Sequence, residues 1–75
     1  MDTRLFYVVD SLSANEELFE TREKAQRFYD IKVTAGEELP RIRICEVKNA
    51  YRDGEGWNYD DQANTFSTLE TLTEN

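Results

Sequence analysis

The residues of this chain best placed to do chemistry lie within eleven positions, from Tyr51 to Asp61. Four carboxylates, Asp53, Glu55, Asp60 and Asp61, share that stretch with Gly54 and Gly56 and with the aromatics Tyr51, Trp57 and Tyr59. Carboxylates in a tight loop suit calcium, which takes oxygen ligands at alternating loop positions followed by a glycine at the sixth. Counting from Asp53, the fifth and sixth positions are Trp57 and Asn58, so that pattern fails. Paired carboxylates also run hydrolases, but the adjacent Asp60 and Asp61 need not converge on one substrate. The chain has no histidine, which removes the commonest neutral-pH acid/base and the usual activator of a nucleophilic Ser or Cys. Its one cysteine, Cys45, sits in an apolar run and reads as a buried thiol, with a reactive or intermolecular role as the alternative. Gly54 and Gly56 lack the lysine and spacing of a phosphate loop and read as positive-φ positions of a hairpin turn. The expectation is no enzyme, no metal and no cofactor.

The aromatics are the stronger signal. Tyrosine and tryptophan anchor interfaces because each buries a large rigid surface while keeping a polar edge. The competing reading is that Trp57 completes a small core. The formal charge of −7 comes from sixteen acids and nine bases. Residues 1–52 hold ten of the acids and all nine bases, whereas residues 53–75 hold six acids and no base. An excess of acid disfavours nonspecific nucleic-acid binding, which needs cations to displace phosphate counterions. It favours a basic protein partner, although an acidic end can equally serve solubility. Tyr51, Asp53, Glu55, Trp57, Tyr59, Asp60 and Asp61 together form the candidate binding surface.

The elements that must position these residues follow from patterning. Leu5–Val9 is β-branched and aromatic and reads as an internal strand. Residues 13–34 have two parses: a long helix capped by Ser13, or a short extended segment through Phe19 followed by a helix from Arg22 capped by Thr21. Phe19 favours the second, since in the long helix it points away from Phe28. Ala35-Gly36 reads as the helix end. Residues 41–51 form the clearest strand, whose apolar phase changes between Ile44 and Cys45. That change predicts a β-bulge there, or a strand whose ends face different environments, ahead of two-sided burial. Asp53–Gly56 turns the chain, and Trp57–Tyr59 returns antiparallel. Phe66, Leu69 and Leu72 recur at helical spacing, but the surrounding threonines oppose a helix, so residues 64–75 stay open between strand, turn and frayed tail.

These readings predict one small α+β domain over residues 1–75. It has an antiparallel or mixed sheet of about three strands, one helix on a face, and residues 62–75 as a loosely packed extension. The expected function is an acidic protein-interaction or regulatory module that binds a macromolecular partner. The alternatives are a nucleic-acid mimic that inhibits a basic nucleic-acid-binding protein, and a structural homo-oligomer, a homodimer included. Leu5–Val9 is too short for a signal peptide or a membrane span, so the expected setting is cytoplasmic, with no membrane contact.

Overall fold

The computed structural model describes residues 2–60 and 62–74, residue 74 by its backbone alone. In chain order the elements are β1 (Thr3–Ser11), β2 (Ala14–Phe19), α1 (Arg22–Thr34), β3 (Arg41–Lys48), β4 (Tyr51–Asp53), β5 (Gly56–Asn58) and β6 (Phe66–Glu74). The six strands form one antiparallel sheet in the order β4-β5-β2-β1-β3-β6. This corrects the expected sheet of about three strands: with 52% strand and 18% helix, the fold is mainly sheet.

The additional strands come from three places. The extended segment before the helix is a full hairpin partner of β1, with Val8 opposite Leu18. The long strand expected over residues 41–51 breaks at Asn49, whose φ of +55° starts a turn, so β4 is a separate strand. The threonine-rich end is β6, where β-branched side chains suit a pleated surface. Between β4 and β5, Gly54 takes a φ of +64°, and Gly56 already belongs to β5.

The helix follows the second parse. Thr21 is extended at its N-cap and accepts from the Lys24 amide, with Glu23 in the first turn near the positive end of the helix dipole. At the other end Gly36, at φ +76°, lets the Glu37 amide reach back to the Lys32 carbonyl and its own amide to Val33. This is the left-handed cap glycine favours.

Pairing of β1 with β3 is regular from Thr3 to Asp10, so β3 itself carries no bulge. The irregularities lie in β6: opposite Ile42–Arg43 and Ile44–Cys45, β6 contributes Leu72 and Leu69 as extra residues. The phase change in β3 therefore has another cause, burial of both its faces. Val9 and Ile42 pack on one face with Ala25 and Tyr29 of α1. Phe6, Val8, Leu18, Cys45 and Val47 form a second core on the opposite face.

That second face is covered by the chain itself. The connection from β5 leads to β6 at the far edge of the sheet, and Trp57 of β5, Tyr59 just after it and Phe66 at the start of β6 pack over the second core. Tyr59 meets Phe66 edge-on with centroids 4.8 Å apart. Buried Thr65 holds the crossing, accepting from the Gln62 amide while its carbonyl accepts from the Lys48 amide.

Candidate functional site

The structure divides the expected binding surface. Tyr51, Asp53, Glu55 and Asp60 are exposed, Trp57 and Tyr59 are half-buried, and Asp61 lies outside the described residues. Trp57 is engaged from four sides. Its ring meets Phe6 edge-on, the Arg4 and Arg52 guanidiniums lie 4.5 and 5.4 Å from its centroid, and its indole N–H donates to Glu20. That hydrogen bond, with Arg52, Arg4 and Lys24 nearby, holds the Glu20 carboxyl below its ordinary pKa. Tyr59 donates its hydroxyl to Glu16 at 3.3 Å.

Among the described acids after Arg52, those of the hairpin and that of β6 do not share one surface. Asp53 and Glu55 flank the β4–β5 turn at one edge of the sheet, while Glu70 lies on β6 at the opposite edge. Arginines Arg4 and Arg52 sit among the acids near the hairpin. A run of like charge in sequence becomes a dispersed, mixed pattern in space.

A different constellation gathers at the other end of β1. Asp10, only 7% exposed, accepts from two neighbouring residues of β3: Arg41 through Nε at 2.8 Å and Nη2 at 3.3 Å, and Arg43 through Nη2 at 2.8 Å. Arg43 is 91% buried, gives Nη1 to Thr68 at 2.7 Å and lies 3.7 Å from Glu16; its Nε finds no protein acceptor among the described residues. Pairing places Asp10 opposite Arg41, and alternation puts Arg43 two residues along on the same face. Asp10, with Glu16, raises the Arg41 pKa above its ordinary value.

Beside this network opens a cleft of about 460 Å³ lined by Asp10, Ser11, Leu12, Ala14, Glu16, Leu39 and Arg41. Leu12 and Leu39 are 67% and 59% exposed. Leu39 holds a φ of +51°, where a side chain with a Cβ costs roughly 1–2 kcal/mol, and a following proline further disfavours helical backbone. Two anchors maintain it: Pro40 is fully buried, and the Leu12 amide donates to the Glu38 carbonyl at 2.9 Å. One residue further back, Glu37 accepts from Ser11 Oγ at 2.9 Å and from buried Lys32. These bonds tie the end of α1 to the β1–β2 turn and hold the Glu37 carboxyl below its ordinary pKa.

Sequence reasoning missed this cleft. Its only local trace is an apolar residue beside a turn at Leu12 and another before Pro40, and neither stands out among ordinary exposed leucines. Among the described residues, no helix is long and apolar enough to cross a membrane, and no three His, Cys, Asp or Glu side chains group to hold a metal ion. The chain matches no family model, no curated protein and no solved structure.

Proposed function

We propose that this protein is a protein-interaction module that holds its partner at the cleft between Leu12 and Leu39. The observation that carries the reading is Leu39, a bulky residue kept in left-handed backbone while its side chain stays mostly in solvent. Strain of this kind persists where the surroundings enforce it and clusters at ligand-holding sites. An exposed leucine gives the isolated domain little in return, whereas a partner side chain set between Leu12 and Leu39 would bury both.

The dispersal of the acids over opposite edges supports an ordinary interaction module over a nucleic-acid mimic, which needs carboxylates in a phosphate-like row. Homo-oligomerisation through the β6 edge is opposed by its two bulges, which interrupt a regular ladder, and by Glu70, which would repel its copy.

The test is capture of partners from cells by the tagged chain and by Leu12→Ser and Leu39→Gly variants. Leu39→Gly relieves the backbone strain, an effect largely offset by glycine's greater freedom when unfolded, so stability should not fall. The expected outcome is a partner lost by both variants while Leu39→Gly melts as the parent does. Capture retained by both variants but lost on Tyr51→Ala or an Asp53/Glu55 charge reversal would move the interface to the β4–β5 hairpin.

A further inference from the structure

Building on the cleft reading above, we infer that the occupant is an extended protein segment carrying a Lys or Arg next to an aliphatic side chain. The aliphatic requirement comes from Leu12, Ala14 and Leu39, which supply the apolar lining. The cationic requirement comes from how the local charges are spent.

Arg41 commits Nε and Nη2 to the two Asp10 oxygens, and Arg43 commits Nη2 to Asp10 and Nη1 to Thr68. Asp10 balances one of these two guanidiniums, and Glu16, 3.7 Å from Arg43 and accepting from the Tyr59 hydroxyl, balances the other, so the group as a whole is neutral. Glu38 is exposed next to Leu39, its carbonyl bonded to the Leu12 amide, and it has no ion pair among the described residues. Screening limits effective interactions to about 8 Å in physiological salt, so Glu38, the charge left over beside this neutral group, sets the local preference. The net charge of −7 adds attraction during approach. An acidic segment would meet like charge at the cleft and across the molecule.

The experiment is an amide chemical-shift titration of the full chain with two synthetic peptides, acetyl-Gly-Leu-Lys-Leu-Lys-Gly-amide and acetyl-Gly-Leu-Glu-Leu-Glu-Gly-amide. The basic peptide should shift the amides of Leu12, Ala14 and Leu39 and bind about threefold more tightly than the acidic one, the scale of one rim charge pair against one like-charge contact. A Glu38→Gln variant should lose most of that preference while still binding. Equal or reversed preference, with the shifts still at the cleft, overturns this inference and leaves the cleft reading standing. No shift at those amides with either peptide overturns both.

Discussion

Trp57 lies edge-on against Phe6, with ring centroids 5.2 Å apart and planes at 63°, on the sheet face that α1 does not cover. The pair closes a second core in a domain whose helix shields only one side. A tryptophan that anchored a partner would be dispensable to the isolated fold. Here Trp57→Ala should destabilise the protein by about 3 kcal/mol, the low end for removing a large aromatic from a core because the ring is only half-buried. Trp57→Phe should retain most of that stability by keeping the edge contact. Urea denaturation followed by circular dichroism measures both, and a loss under about 1 kcal/mol for the alanine variant would place Trp57 outside the core.

Among the described residues, Asp10 is the sole carboxylate within hydrogen-bond distance of buried Arg43. Its removal leaves a guanidinium in a dry setting beside Arg41. Asp10→Ala should cost about 3–5 kcal/mol, as expected when one partner of a buried pair is deleted. Replacing Arg43 by methionine in the same background should recover a substantial part, since no buried charge is then orphaned. The double-mutant cycle reads the coupling directly, and strictly additive losses would show that the two side chains act independently.

Stability should fall with acid partly through Glu37 and Glu20, whose carboxyls are held below the ordinary glutamate value of 4.5. For a depressed carboxyl the stabilising contribution is present above the unfolded pKa and is lost as pH falls through the lower folded value. Melting temperatures of the parent and of Glu37→Gln should therefore differ above pH 4.5 and converge below it. A difference that persists unchanged into strong acid would show that Glu37 contributes through packing or neutral hydrogen bonds instead of its charge.

The helix and the first strand were legible because their signals are local. Thr21 satisfies an amide three residues on and Gly36 takes a backbone conformation other residues resist, so both helix ends follow from neighbouring residues. The β-branched and aromatic run at Leu5–Val9 announces a strand by itself. The C-terminal strand was obscured because its bulges set Leu69 and Leu72 three residues apart, like a helical stripe. In space Leu72 packs on the helix side, Phe66 belongs to the opposite core, and Leu69 is exposed.

By itself, then, the sequence determined a capped helix, a strand at Leu5–Val9, a strand from Arg41 that it carried too far, to Tyr51, a hairpin turning within Asp53–Gly56, and an acid-rich last third. Tertiary structure alone decided where those charges and aromatics would face. The strand order set Asp53 and Glu55 at one edge and Glu70 at the other, and it placed Trp57 and Tyr59 against the second core. Pairing β1 with β3 brought Asp10 to two arginines more than thirty residues away and opened the cleft between Leu12 and Leu39. The reason is range: caps and turns depend on a few adjacent residues, whereas strand register and crossover route depend on what the whole sheet can bury.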